Sequence, residues 1–173
     1  MCLLDGAADC PARLEALSSD FMAAPAEPEP RAEAYPALWP VPTRWADNDH
    51  YGHVDSIAYY SYFDTAVNGW LMASTGLDIR ELAAIGIVAE TSCRFVRELS
   101  FPDQLHVGLS VEHLGTSSIV YALAIFREES DGILELAATA RFVYVYVDPD
   151  TRRPVPIPPE IRSAASLIVV SED

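Results

Sequence analysis

Leu105, Val107, Leu109 and Val111 alternate with His106, Gly108, Ser110 and Glu112, and after Gly115-Thr116-Ser117 the alternation resumes at Ile119, Tyr121, Leu123 and Ile125. A period of two marks strands with one face turned to a core. A second turn, Glu128-Glu129-Ser130-Asp131-Gly132, leads into a longer strand from Leu134 to Val147. Connections this short join antiparallel neighbours, because a parallel crossover needs a dozen or more residues. An earlier stretch, Ile87 to Val96, is also rich in residues suited to a strand. Tyr35 to Trp45, with Pro36, Pro40 and Pro42 spacing its apolar residues, reads as an edge strand, since proline cannot donate to a ladder.

Between the edge strand and the rest lies the one long helical pattern. Asp55 and Ser56 are both good N-caps, and Ile57, Tyr60, Phe63, Val67, Trp70 and Leu71 follow at helical spacing. The helix is expected to run to about Ser74 and stop at Gly76. The order is one strand, one long helix, then four strands. The four are expected to form an antiparallel meander with the helix buried on one face, an α+β architecture. Such a sheet has open edges, so edge-to-edge pairing of subunits, giving a homodimer or homotetramer, is expected.

The 173 residues suffice for one domain with a real core. Residues 1–34 read as a flexible extension, with a short helix suggested over Pro11 to Met22; residues 35–160 form the domain; residues 161–173 form a tail whose apolar run, Leu167 to Val170, has the body or a partner to pack on. No uncharged apolar run approaches the roughly 20 residues of a membrane helix. The first residues do not read as a signal peptide, so a cytoplasmic protein is expected. Cys2, Cys10 and Cys93 lack metal-ligand spacing and are expected to be reduced. A net charge of −15 argues against nucleic acid and anionic membranes as partners. All eleven basic residues are arginines, and without lysine neither a Schiff base nor a P-loop is available.

Chemistry concentrates just before the helix, in Arg44-Trp45-Ala46-Asp47-Asn48-Asp49-His50-Tyr51-Gly52-His53-Val54-Asp55-Ser56. A helix start offers unpaired backbone N–H groups and a positive dipole end, useful where negative charge develops on a substrate oxygen. A carboxylate cluster beside such donors suggests chemistry without yet naming it. Asp47 and Asp55 read as loop bond and N-cap. His50 and His53 lack the further spaced ligand a metal site needs, so no metal is expected. Glu90 is expected to face solvent.

Asp47-Asn48-Asp49-His50-Tyr51-Gly52-His53-Val54, followed by Tyr59 and Tyr60, resembles the D-x-D-x-x-G-H-V-N-N-x-x-Y signature of hot-dog thioesterases of the 4-hydroxybenzoyl-CoA thioesterase type. Cys93-Arg94-Phe95-Val96-Arg97-Glu98-Leu99-Ser100-Phe101-Pro102-Asp103-Gln104-Leu105 is similar to that family's F-x-R-P-L-x-x-G-D-x-L stretch, and the likeness covers about residues 36–160. It implies a hot-dog fold, a long central helix wrapped by an antiparallel sheet of about five strands. It also implies hydrolysis of acyl-CoA thioesters, with coenzyme A entering as part of the substrate and no separate cofactor. Asp49 matches the catalytic carboxylate, and the backbone N–H groups of Ser56 and Ile57 are the expected oxyanion donors. His53, Tyr59 and Tyr60 are expected on the substrate side. Pantetheine is implied along Ile87 to Arg94, with Ser117 as a contact, and Arg94, Arg97 and Arg141 are the arginines available to CoA phosphates. Where the pattern has two asparagines this chain has Asp55 and Ser56. A module that binds acyl-CoA or a protein without turnover is the alternative.

Overall fold

The structure, a computed structural model, describes residues 29–170; the helix expected over Pro11 to Met22, and Cys2 and Cys10, lie outside the described residues. Helix α1 spans Ser56–Thr75, with Asp55 as N-cap and Gly76 as a left-handed C-cap at φ 68°. Glycine occupies that conformation without the Cβ clash other residues suffer. Its buried face is Tyr59, Tyr62, Phe63, Ala66, Val67, Trp70 and Leu71, spaced three and four apart. Ile57 and Tyr60, expected on that face, lie off it and are exposed, because the buried stripe enters the first turn at Tyr59.

Five strands surround the helix: β1 Ala37–Pro42, β2 Ile85–Phe95, β3 Gln104–Leu114, β4 Ser118–Glu128 and β5 Leu134–Val147. The sheet order is β1-β3-β4-β5-β2, each neighbouring pair antiparallel. The meander is therefore β3-β4-β5, and the expected four-strand meander is corrected: β2 pairs with β5, not with β3. The chain after β2 does not turn back as a hairpin. It passes the start of α1, where the buried Leu99 accepts the Val54 N–H at 2.7 Å through its carbonyl, and enters β3 across the sheet. Leu105, Val107, Leu109 and Val111 of β3 and Ile119, Tyr121, Leu123 and Ile125 of β4 point inward and are almost wholly buried, as their alternation requires.

Helix and sheet meet closely at one point. A Cβ on Gly69 would stand 2.8 Å from the Trp39 ring, so glycine there lets α1 lie against β1. The opposite face of the sheet carries a second apolar cluster, Ala32, Ala124, Phe126 and Leu136, with Tyr35 laid over Gly108. Of the residues assigned to the extension by sequence, Ala32 packs in this cluster and Glu29 pairs with Arg97 of the domain. Beyond residue 160 the chain also stays on the body. Helix α2, Pro159–Ser166, buries Ile161, Ala164 and Ala165, and Val169 bridges to Val111. Among the described residues no helix is long and apolar enough to cross a membrane.

Candidate active site

The loop from Arg44 to Asp55 is held by a buried carboxylate. Asp47 accepts the Arg44 backbone N–H at 2.7 Å, the Arg44 guanidinium at 3.0 and 2.7 Å, and the Tyr62 hydroxyl at 2.7 Å. Its burial would raise its pKa, but these donors outweigh burial and hold it below the usual carboxylate range. The Asp47 carbonyl accepts the Asp55 N–H at 2.8 Å, tying the loop to the helix start. Asp47 is a structural anchor, as the residue pattern indicated.

Asp49 sits two residues further on in a tight turn. Its Oδ1 accepts the Tyr51 N–H at 2.7 Å and the His53 N–H at 3.2 Å, while Oδ2 has no hydrogen-bond partner among the described residues. Partial desolvation pulls its pKa upward, yet the His53 and Tyr51 amides and the nearby imidazoles of His50 and His53 bring it down. Asp49 is thus an ionised carboxylate with one oxygen engaged and one free.

At the start of α1 the two expected amide donors separate. The Asp55 carboxylate accepts the Ile57 N–H at 2.8 Å, so the N-cap consumes it. The Ser56 N–H has no partner among the described residues. Ser56 lines an open cleft of about 220 Å³ together with Val54, Tyr59, Phe95, Val96, Arg97 and Glu98. The Tyr59 ring meets the Phe95 ring edge-on at 5.0 Å, and burial pushes the Tyr59 phenol up to about 12, keeping it neutral. His53 joins loop to cleft wall: its backbone embraces Asp49 through both N–H and C=O, and its Nε2 lies 3.2 Å from Glu98 Oε2. Asp49 does not itself line the cleft within one chain. Among the described residues no group of His, Cys, Asp and Glu stands close enough to hold a metal ion.

The other sequence-derived candidates fall elsewhere. Tyr60 stacks on Phe142 at 6.1 Å, on the flank of α1 rather than in the cleft. Arg94 stands opposite Thr139, two residues from Ser92, which faces Arg141; this is the sheet face turned away from α1. Arg97, by contrast, does line the cleft, with its guanidinium held by Glu29, Glu135 and the Leu136 carbonyl, and Arg141 pairs with Glu112 and more distantly with Glu90. Arg94 makes no ion pair among the described residues. Glu90 is exposed, as expected. Ser117 is remote: its carbonyl accepts the Tyr146 N–H at the end of the sheet where β2 begins, whereas Ser56 lies where β2 ends. The sequence reading missed Phe95, Val96 and Glu98 as cleft lining. Phe95, an exposed aromatic closing a strand beside the motif, was the available signal.

With this geometry in view, the family model described as the thioesterase-like superfamily matches residues 43–165. The solved PA5185 protein from Pseudomonas aeruginosa is similar at 43% identity and a TM-score of 0.78, covering 84% of this chain and 100% of that one. The 1,4-dihydroxy-2-naphthoyl-CoA thioesterase from Synechocystis is similar in fold, at 20% identity and a TM-score of 0.68, covering 75% of this chain and 94% of that one. A 4-hydroxybenzoyl-CoA thioesterase mutant, complexed with 4-hydroxybenzoyl-CoA, is likewise similar in fold at 18% identity and a TM-score of 0.66, covering 75% and 97%. No curated protein matches the chain. A model match across most of the chain, with one sheet wrapped round one long helix and the aspartate loop at the helix start, means that this chain belongs to the thioesterase-like superfamily and has the hot-dog fold.

Proposed function

We propose that the protein hydrolyses an acyl-CoA thioester to the free acid and CoA, with Asp49 as the catalytic carboxylate and the Ser56 N–H as the oxyanion donor. The observation that carries this reading is the pair of free groups at the start of α1: Asp49 Oδ2 and the Ser56 amide, both without partners among the described residues. As a nucleophile, Asp49 attacks the carbonyl carbon; as a general base, it takes a proton from the attacking water. Either role puts negative charge on the former carbonyl oxygen, which an unpaired N–H at a helix start stabilises. The C–S bond then breaks and CoA leaves as its thiolate; with Asp49 as base the free acid forms directly, and with Asp49 as nucleophile water then hydrolyses the acyl-aspartyl anhydride to the free acid and restores the carboxylate. Ile57, whose N–H already serves the cap, is not carried forward as a donor.

Arg94 is the arginine best suited to the CoA phosphates, since Arg97 and Arg141 are already engaged by carboxylates. A second copy of the chain completes the site. Nine of the eleven residues of β2 are exposed, and it is an edge strand, so it is open to pairing with its own copy. Antiparallel pairing sets the Phe95 end of one β2 against the Ile85 end of the other, and Ser117 then approaches the Ser56 cleft from the second copy. The same approach brings a covering surface over Ile57 and Tyr60. The test is CoA release: purified protein is mixed with acyl-CoAs of aromatic, short and long acyl groups and a thiol reagent. Catalytic release with at least one of them is expected. Binding without release from any would replace this reading with the binding module.

A further inference from the structure

At the far end of α1 from Asp49 lies a half-enclosed cavity of about 180 Å³, walled by Leu71, Leu82, Ala84, Ile85, Tyr144 and Tyr146. Asn68, on its wall, is twelve residues along the helix from Ser56, about 18 Å at 1.5 Å per residue. The volume suits one ring, since an apolar cavity of about 150 Å³ accepts benzene. Gly86 opposes the two tyrosine rings with bare backbone, a Cβ there standing 3.3 Å from Tyr146.

Its polar atoms are few and specific. The Tyr144 hydroxyl donates to Asp64 at 3.0 Å, which spends it, and one N–H of the Asn68 amide donates to the Asp64 carbonyl at 2.8 Å. The Tyr146 hydroxyl has no hydrogen-bond partner among the described residues, although the residue is only 4% exposed. Behind Tyr144, with rings 5.5 Å apart and edge-on, the buried Tyr121 hydroxyl also lacks a partner. Of the two only the Tyr121 hydroxyl is a fully buried atom, and buried polar groups nearly always find a partner; the Tyr146 hydroxyl remains accessible and free to bond a group in the cavity. The charges at the cavity disfavour an anion: Arg80 at the rim is already bound by Asp78 at 2.6 and 2.8 Å, and the Asp64 carboxylate lies beneath Tyr144.

We propose that this cavity binds a neutral, ring-sized organic group carrying one hydroxyl or carbonyl, which pairs with the Tyr146 hydroxyl while its ring packs on Leu71, Leu82 and Ile85. Such a group has two sources, a free small molecule or the acyl terminus of a thioester. The binding itself does not depend on Asp49 chemistry.

The experiment measures melting temperature and calorimetric binding of the full chain with benzyl alcohol as the probe and sodium benzoate as the charged control. Benzyl alcohol is expected to raise the melting temperature of both wild type and Asp49→Asn, benzoate to leave it unchanged. Ala84→Leu, which fills the cavity, is expected to abolish the response. Tyr146→Phe, which keeps the shape, is expected to weaken binding about tenfold, and it decides the matter should Ala84→Leu fail to fold. If the acyl terminus is the source, Tyr146→Phe also raises KM for a benzoyl- or phenylacetyl-CoA while leaving acetyl-CoA untouched. If a free molecule is the source, hydrolysis of both is unaltered. No response of the wild type to benzyl alcohol, or binding undiminished in Tyr146→Phe and Ala84→Leu, overturns the proposal; failure to hydrolyse any acyl-CoA leaves the binding result standing.

Discussion

The Asp55 carboxylate accepts the Ile57 amide hydrogen at 2.8 Å, which caps α1 and leaves the Ser56 amide alone at the helix start. Ser56 is the first residue of the helix, where proline is well tolerated because its missing N–H has no helical partner anyway. Asp55 has φ −59° and ψ 141°, the conformation a residue before proline prefers. Ser56→Pro therefore removes one hydrogen-bond donor with little disturbance to the fold. A fall in kcat of about 100- to 1000-fold, the usual cost of one oxyanion donor, is expected with a melting temperature near wild type. Steady-state kinetics and a thermal melt on the same preparation check it.

Asp47 ties Arg44 and Tyr62 together beneath the loop. Asp47→Ala leaves the Tyr62 hydroxyl without its acceptor and frees the loop, and is expected to cost about 2 to 4 kcal/mol. Urea unfolding of wild type and variant measures this. Asp47→Asn, which keeps one acceptor oxygen, should cost less.

Gly69 touches the Trp39 ring more closely than any side chain allows. Gly69→Ala is expected to destabilise by about 1 to 3 kcal/mol through overpacking, despite alanine's better helix propensity. Chemical denaturation should show a lower midpoint, and Trp39→Phe in the same chain should recover part of the loss.

Much of this arrangement was legible beforehand, and the failures have physical causes. Alternation placed β3 and β4 because their apolar positions at every second residue face the core, the turn before Leu134 placed β5, and Asp55 and Gly76 marked both ends of α1. Strand order was not legible, since a loop that crosses the end of a helix looks in sequence like one that closes a hairpin. For the tail after residue 160 the sequence left open whether its apolar run packs on the body or on a partner, because Ile161, Ala164, Ala165 and Ile168 find their partners only in three dimensions. In the candidate site the motif located the aspartate loop and the helix start. It also gave Asp55, replacing an asparagine of the pattern, as the N-cap; that the amide this cap takes is Ile57, one of the two expected donors, is seen only in the structure.

Asp47 and Asp49 both titrate below the ordinary carboxylate value of 3.8 in the folded chain. Depressed carboxylates contribute stability that is present above the unfolded-state pKa and is lost as pH falls through the folded-state values. Stability is therefore expected to hold these contributions from neutrality down to about pH 5 and to lose them below about pH 4, as urea midpoints across pH would show. For the same reason the acid limb of kcat/KM should fall below pH 3.8.

The most direct measurement is the rate of CoA release by wild type and Asp49→Asn on whichever acyl-CoA the wild type turns over fastest. Asn keeps the shape and an acceptor for the Tyr51 and His53 amides, so the melting temperature should change little. A loss of at least 1000-fold in kcat with the acyl-CoA still bound is the expected result. An Asp49→Asn protein that releases CoA at close to the wild-type rate would contradict the assignment of the chemistry to this loop.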